Sequence, residues 1–285
     1  MVKRLLACST LLLLCASAHA EDKPLEPLAG DVQGPRTIAM GGASRASGMS
    51  NDAIYLNPAA IADVKRYTLT LQGEHDFNTN YDTFGASVAD STATPIAGGV
   101  AYNRVLIGPD GDRRVGNLFT LALAMPLSEA IVIGASGKFL HISEFGNVHN
   151  VATPDVGLLI KAAPVNLGFV AYNLIDVKSR ELPRQYGFGA NVTLGTFKLE
   201  GDLVIDTATN PQVSLSYHGG AEWEVIPLLA LRAGYVEDRI LGQRAISGGL
   251  AIFIPPGFGI DVAYKHELLG DNPERLAAVS VNLAF

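Results

Sequence analysis

The chain of 285 residues is apolar on average, with a mean hydropathy of +0.23, yet it has a net charge of −7. This acidic balance argues against a nucleic-acid-binding protein. Both cysteines, Cys8 and Cys15, lie near the start of the chain. The rest of the sequence therefore has no thiol for a disulfide, a thiolate zinc site or a cysteine nucleophile.

Residues 1–20 have the pattern of a secretory signal peptide. Lys3 and Arg4 precede the apolar stretch 5–16, and residues 18–20, Ala-His-Ala, form a small-x-small cleavage site. The apolar stretch is short for a membrane-spanning helix, and an uncleaved anchor is the alternative. We therefore expect an exported protein from which residues 1–20 are removed.

Residues 21–64 are irregular, whereas residues 65–285 alternate between apolar and polar side chains in segments of about ten. Around Leu203, for example, Phe197 and Leu199 share one face of a strand, while Glu200 and Asp202 share the other. Ten residues is roughly the length that a tilted strand needs to cross a bilayer. Fourteen strands are predicted, near residues 66–77, 80–90, 95–106, 116–125, 129–142, 152–162, 165–175, 184–194, 196–206, 212–224, 227–237, 244–254, 257–267 and 276–285.

The connections between these segments favour a membrane barrel over a soluble β-sandwich or β-helix. Short turns, such as 163–164 and 255–256, alternate along most of the chain with longer connections, such as 143–151 and 176–183. Transmembrane barrels have this asymmetry of short periplasmic turns and longer outer loops. We predict an all-β, antiparallel, up-and-down transmembrane barrel, with its apolar face toward lipid and its polar face lining the lumen.

The polar faces of the strands carry several charged residues that we expect in the lumen. These are Glu200, Asp202, Glu222, Arg232, Asp261 and Lys265. Glu200 and Asp202 share a face, as the two carboxylates of a paired-carboxylate enzyme would, but a solvated or salt-bridged interior is favoured. Asp202→Asn is expected to have little effect, and Leu203→Arg a large one.

No catalytic, cofactor-binding or metal-binding set emerges from the sequence. His141, Glu144 and His149 fall near one predicted loop, but their spacing matches no standard metal site. We therefore expect that the protein is not an enzyme and carries no cofactor.

The final strand alternates and ends in an aromatic residue, with Val281, Leu283 and Phe285 on one face. It resembles the terminal signal by which the barrel-assembly machinery reads outer-membrane proteins. Five aromatic residues are also expected at one end of the barrel, forming one girdle at the membrane interface. They are Tyr67, Phe197, Trp223, Phe258 and Phe285.

Two stretches before the first strand, Gly-Pro-Arg-Thr-Ile-Ala-Met-Gly-Gly-Ala at 34–43 and Asn-Asp-Ala-Ile-Tyr-Leu-Asn-Pro-Ala at 51–59, resemble the opening of the FadL/PorV-like superfamily. The resemblance implies a fourteen-stranded barrel whose N-terminal segment, 21–64, folds into the lumen of the barrel 65–285 as a hatch. Its hatch motif would comprise Gly41, Gly42, Ala43, Asn57, Pro58 and Ala59. Small residues allow close backbone approach, and Asn-Pro suits a tight turn. A disordered periplasmic tail is the alternative for this segment.

The same resemblance implies a function in the bacterial outer membrane, surrounded by its lipid. Passive transport of small hydrophobic molecules is the first hypothesis. The second is a PorV-like barrel that does not transport and acts as a scaffold or secretion partner for another protein. The short outer loops leave less room for a ligand groove than the resemblance to fatty-acid transporters implies.

Overall fold

The computed structural model describes residues 28–109, 113–144, 146–269 and 273–285, so the predicted signal peptide lies outside the described residues. The strands are β1 Tyr67–Asp76, β2 Tyr81–Asp90, β3 Ala97–Ile107, β4 Arg114–Pro126, β5 Ile131–Glu144, β6 Asn147–Ala162, β7 Val165–Tyr172, β8 Gln185–Leu194, β9 Phe197–Asp206, β10 Ser214–Ile226, β11 Leu229–Asp238, β12 Gln243–Ile254, β13 Phe258–Glu267 and β14 Arg275–Ala284. Each strand pairs with its neighbour in sequence, and β1 pairs with β14 to close an antiparallel barrel. The predicted fold class is confirmed.

Large apolar side chains cover the outside of the barrel. In β4, Leu121, Leu123 and Met125 are exposed, while Ala122 and Ala124 between them are buried. An alternating strand puts successive side chains on opposite faces, so the buried set points into the lumen. A continuous apolar outer face is what a barrel presents to lipid.

The two ends of the barrel are named here by the strand ends that they hold. We call the end that holds Tyr67 and Phe285 the near end, and the opposite end the far end. The five aromatic residues of the predicted girdle all lie at the near end of their strands. Phe197 and Trp223 stack there with ring centroids 5.7 Å apart.

One predicted loop is wrong. Residues 143–151 were expected as a long connection, but β5 continues to Glu144 and β6 begins at Asn147, with Gly146 at a φ of +78° in the turn. His141 and Asn150 remain opposite each other, with Nδ1 and Oδ1 2.8 Å apart. The polar composition of this stretch suggested a loop, whereas cross-strand pairing continues through it.

Residues 28–64, which we call the hatch, occupy the lumen. They form helix α1 Pro35–Ala39, helix α2 Ala53–Leu56 and a 3-10 helix, Pro58–Ala62, all of them buried. Helix α1 packs against β11–β14, and the 3-10 helix packs against β3–β6 on the other side of the lumen. None of the helices in the described ranges has the length and apolar character needed to cross a membrane.

The inner wall differs between these two sides. Along β3–β6 it is mainly apolar, with Ala101, Val105, Leu118 and Leu140 buried in one cluster with the hatch. The prediction that polar side chains line the lumen is wrong for much of this side, because the wall packs against hatch side chains there rather than against water. The charged inward residues are concentrated on β9–β13.

Candidate functional site in the barrel lumen

Arg36, in helix α1, joins the hatch to two strands. Its Nη2 lies 2.7 Å from Oε1 of Glu200 on β9, and its Nε lies 3.2 Å from Oε2 of Glu222 on β10. Its Nη1 donates a hydrogen bond to Oγ of Ser44 at 3.0 Å. Burial opposes the charge of Arg36, but Glu200 and Glu222 outweigh it and raise the pKa of the guanidinium above its ordinary value. Arg36 therefore remains a buried cation held by carboxylates of the wall.

Arg45 makes a second connection to the wall. Its Nη1 lies 3.0 Å from Oδ2 of Asp202, and its Nε donates to Oη of Tyr172 at 2.9 Å. The same Asp202 oxygen accepts the backbone N–H groups of Ser44 and Arg45 at 2.9 and 3.0 Å. We therefore revise the expectation that Asp202→Asn has little effect, because this carboxylate is bound to the hatch and not to solvent.

Glu222, one of the carboxylates that hold the hatch, is also bound to cations of the wall itself. Lys198 Nζ lies 2.8 Å from Oε1 of Glu222, and Arg232 Nε lies 2.7 Å from its Oε2. Arg232 also pairs with Asp261. We call the resulting set of four cations and four carboxylates the latch; it comprises Arg36, Arg45, Lys198, Arg232, Glu200, Asp202, Glu222 and Asp261. Its charges balance, as a buried ionic network requires.

Of the predicted lumen charges, the first five lie in the latch and the sixth, Lys265, lies apart from it. Lys265 is nearer the far end, with Nζ 2.8 Å from Oε2 of Glu274. The interior is therefore salt-bridged at each of these six positions.

The Asn-Pro-Ala stretch of the hatch lies on the opposite side of the lumen. Asn57 Nδ2 donates to the carbonyl oxygens of Arg45 at 2.8 Å and of Leu158 at 3.2 Å, while its Oδ1 accepts the N–H of Ala59 at 3.1 Å. Asn57 thus caps the 3-10 helix that Pro58 begins. It also ties this helix both to an earlier turn of the hatch and to β6.

The wall approaches this stretch so closely that only glycine fits. A Cβ added to Gly134 on β5 would lie 2.3 Å from the backbone nitrogen of Ala59. One added to Gly157 on β6 would lie 2.1 Å from Oδ1 of Asn57. Both distances are too short for any Cβ contact, so the two glycines form the seat for the 3-10 helix.

The Gly-Gly-Ala stretch is equally close to the wall on the charged side. Gly41 and Gly42 have φ angles of +67° and +84°, which favour glycine, and Ala43 is fully buried. A Cβ added to Gly234 on β11 would lie 2.1 Å from the nitrogen of Gly41. The hatch and the wall each contribute glycine to this contact.

The small residues of the hatch are predicted from the sequence, whereas the glycines of the wall that face them are not. Ten of these wall glycines face a hatch atom within 3 Å of an added Cβ: Gly99, Gly116, Gly134, Gly157, Gly168, Gly187, Gly189, Gly220, Gly234 and Gly249. Each occupies an inward position of an alternating strand. Inward glycine inside a strand marks the close approach of another backbone, and that signal was present in the sequence.

The hatch is also braced internally. Thr37 Oγ1 donates to Oδ2 of Asp52 at 2.5 Å, which links helix α1 to the turn before helix α2. Burial raises the pKa of Asp52, and hydrogen bonds from Thr37 and Ser50 oppose that shift. These contacts make the hatch one folded unit within the lumen.

A cavity of about 130 Å³ remains on the far side of the hatch. Ile38, Val204 and Ile240 contribute apolar surface to it, whereas Arg45 and Lys138 contribute charged groups. Such a cavity has room for a small molecule with apolar and polar parts. Within the described ranges, no group of three or more His, Cys, Asp or Glu side chains is placed to hold a metal ion.

The terminal residues lie on the seam that closes the barrel. Val281 and Leu283 point outward from β14, which pairs with β1. The backbone N–H of Phe285 donates to the carbonyl oxygen of Tyr67 at 2.9 Å, and their rings lie 6.0 Å apart. An assembly role for these three residues remains a prediction.

Comparisons with known proteins identify the fold. No protein-family profile and no curated protein matches the sequence. Among solved structures, the toluene transporter TbuX of Ralstonia pickettii aligns with 89% of this chain and 98% of its own at 11% identity, with a TM-score of 0.67. The monoaromatic hydrocarbon channel CymD aligns with 88% of this chain and 96% of its own at 13% identity, with a TM-score of 0.69.

A FadL homologue of Pseudomonas aeruginosa aligns with 92% of this chain and 99% of its own, at 10% identity and a TM-score of 0.67. At these identities the likeness shows a common fold. The barrel fold implied by the resemblance to the FadL/PorV-like superfamily is therefore confirmed.

Proposed function

We propose that this chain is an outer-membrane channel through which small hydrophobic molecules pass passively, and that its hatch keeps the lumen closed to bulk water. Export would depend on the signal peptide at 1–20. Insertion into outer-membrane lipid would depend on the barrel-assembly machinery reading Val281, Leu283 and Phe285. The hatch would comprise 21–64 and the barrel 65–285.

The observation that carries this proposal is a closed barrel filled by a folded hatch. A barrel of fourteen strands is wider than an eight-stranded one, whose interior side chains can fill. Here the hatch fills it instead, bound on one side by the latch and on the other by Gly134 and Gly157. A small cavity is left beside it. This arrangement suits passage of single small molecules by local rearrangement of the hatch.

The shared fold supports the same substrate class. Solved structures with this fold include proteins named as toluene transporters and as monoaromatic hydrocarbon channels. Passive passage would be driven by binding along the lumen and release down a concentration gradient, without a cofactor.

Uptake by whole cells tests the proposal. Labelled toluene, a labelled alkane and a labelled long-chain fatty acid would be supplied to cells with and without the gene, with barrel folding verified by heat-modifiable gel migration. We expect faster initial uptake of at least the smallest ligand when the gene is present. Equal rates for all three ligands would contradict the proposal.

A second candidate function is docking of a protein partner, as in the PorV-like hypothesis. Strand β7 pairs with β6 only from Val156 onward, whereas β6 pairs with β5 back to Asn147. The stretch 147–152 is therefore an exposed strand edge at the far end, and such an edge can pair with a strand of another protein. Asn150→Pro would remove one edge donor. Recovery of the same stoichiometric partner with wild type and with this variant would count against docking at the edge.

A further inference from the structure

A second, smaller cavity of about 60 Å³ lies beside the larger one at the far end. Leu28, Asp31, Ile38 and Leu241 line both cavities, so they are neighbouring compartments along one stretch of the hatch. The smaller cavity differs in its other walls. It is lined there by carboxylate-bearing residues of the barrel, Glu74 near the end of β1 and Glu274 just before β14.

Glu74 has an acceptor without a donor. The residue is 5% exposed, and its Oε1 accepts no hydrogen bond from the part of the chain that the structure describes. A buried carboxylate oxygen without a donor is unfavourable, because it has lost its hydration without replacement. Its position in the wall of a cavity means that a donor from a bound molecule would reach it.

The charges that face Glu74 leave this compartment acidic. Lys265 is the cation in its wall, and its Nζ is already 2.8 Å from Oε2 of Glu274. Apart from this Lys265–Glu274 ion pair, the charged groups that line the compartment are the carboxylates of Glu74 and Asp31. The wall therefore offers acceptors and negative charge to a ligand that brings a cationic donor.

The larger compartment, which Arg45 and Lys138 line with charged groups, also offers apolar surface to a ligand. Ile38, Val204, Val236 and Ile240 line it, and Leu28, Val204, Ile240 and Leu241 form a buried apolar cluster at the far end. Its volume of about 130 Å³ is close to that of apolar protein cavities that hold benzene. A ligand that spans both compartments would thus have a polar cationic end and a small apolar body.

We propose that the far-end compartments bind a small amphipathic amine, with its ammonium group at Glu74 and Asp31 and its apolar body against Ile38 and Leu241. The proposal deepens the proposed function by naming a substrate class. Transport of such an amine rests on the proposed channel function, whereas its binding does not. Binding can be measured without transport. An ammonium group supplies three hydrogen-bond donors and a positive charge, which match the acceptor of Glu74.

Benzylammonium and its neutral analogue benzyl alcohol test the inference. Their binding to the full barrel in detergent would be measured by calorimetry for wild type, Glu74→Gln and Asp31→Asn. Glu129→Gln is the matched control, since it removes the same charge from an exposed near-end turn. We expect Glu74→Gln to weaken benzylammonium binding about tenfold or more, and benzyl alcohol binding little. Glu129→Gln should change neither.

Asp31→Asn keeps the test valid if Glu74→Gln fails to fold, because Asp31 belongs to the hatch and its substitution leaves every strand intact. It should also weaken benzylammonium binding selectively. Equal binding of both ligands to wild type and to both variants would overturn the inference, as would tight binding of toluene with none of benzylammonium. Displacement of benzylammonium by potassium chloride, but not by the chloride of a bulky organic cation at equal ionic strength, would show a site for inorganic cations and would also overturn it. Uptake of toluene in cells would be unaffected by these outcomes, so failure here differs from failure of the channel function.

Discussion

Along β3–β6 the hatch meets the wall through alanine, isoleucine and glycine, whereas along β9–β13 it meets the wall through arginine–carboxylate pairs. On the first side, Gly134 lies against the backbone of Pro58 and Ala59, and Gly157 lies against the side chain of Asn57. On the second side, Arg36 and Arg45 reach across to carboxylates of β9 and β10.

The two contacts respond differently to separation. An apolar close-packed contact that opens exposes hydrocarbon to water and loses its dispersion energy. A network of ion pairs that opens regains hydration of each charge, which offsets much of the lost attraction. We therefore expect the charged side to release first when a molecule passes, with the 3-10 helix remaining seated on β3–β6.

Removing both contacts together should have the largest effect. Deletion of residues 34–60 leaves all fourteen strands and the terminal seam, so the barrel should still assemble, but it should leak. Single-channel conductance in planar bilayers measures the leak, and heat-modifiable migration measures assembly. Closed behaviour identical to wild type would show that this segment does not close the lumen.

The second-largest effect is expected from breaking the latch alone. Arg36→Met removes the cation that pairs with Glu200 and one of those that pair with Glu222, and losing one member of a buried ion pair costs about 3–5 kcal/mol. The opening free energy of the amides at 36–44, measured by native-state hydrogen exchange, should fall accordingly. Adding Glu200→Gln should recover part of the loss, because it removes the unpaired charge. A double variant no better than the single one would contradict the ion-pair account.

Obstructing the glycine seat should unseat the other side. Gly134→Val places side-chain atoms where the backbone of Ala59 lies, which should cost about 3 kcal/mol, the upper end for overpacking. Gly137→Val on the same strand is the matched control, since nothing lies within 4 Å of its added Cβ. Protection of amides at 58–62 from hydrogen exchange should fall in the first variant and stay unchanged in the second. The same loss in both would mean that strand propensity, not the seat, is responsible.

The smallest effect is expected from weakening one carboxylate of the latch. The variant Asp202→Asn keeps a side-chain oxygen that can accept hydrogen bonds from the backbone N–H groups of Ser44 and Arg45. It loses the negative charge that faces the Arg45 guanidinium. A hydrogen bond to a charged group contributes about 1.5–3 kcal/mol, and the lower end applies when the acceptor remains. A double-mutant cycle with Arg45→Met, followed by hydrogen exchange of the hatch, measures the coupling. Additive effects would contradict direct pairing.

The strand pattern could be predicted where one side of each strand met a different medium from the other. Around Leu203, apolar residues alternate with Glu200 and Asp202, and the structure places the second set inside. The same rule gave all fourteen strands, because alternation and turn residues are local properties. At 143–151 it failed, since nothing local distinguishes polar residues of a paired hairpin from those of a loop.

The sequence by itself determined the barrel, its strand number, the outward face of each strand and the small residues of the hatch. Only the tertiary structure decided which inward residues touch the hatch. Arg36 pairs with Glu200 across 164 positions of sequence, and Ala59 meets Gly134 on a distant strand. Strand alternation predicts that a side chain points inward, but which hatch residue it pairs with depends on the path of the hatch through the lumen. That path is fixed jointly by the glycines of the wall and the charges of the latch. These residues lie far apart in sequence and come together only when the barrel closes.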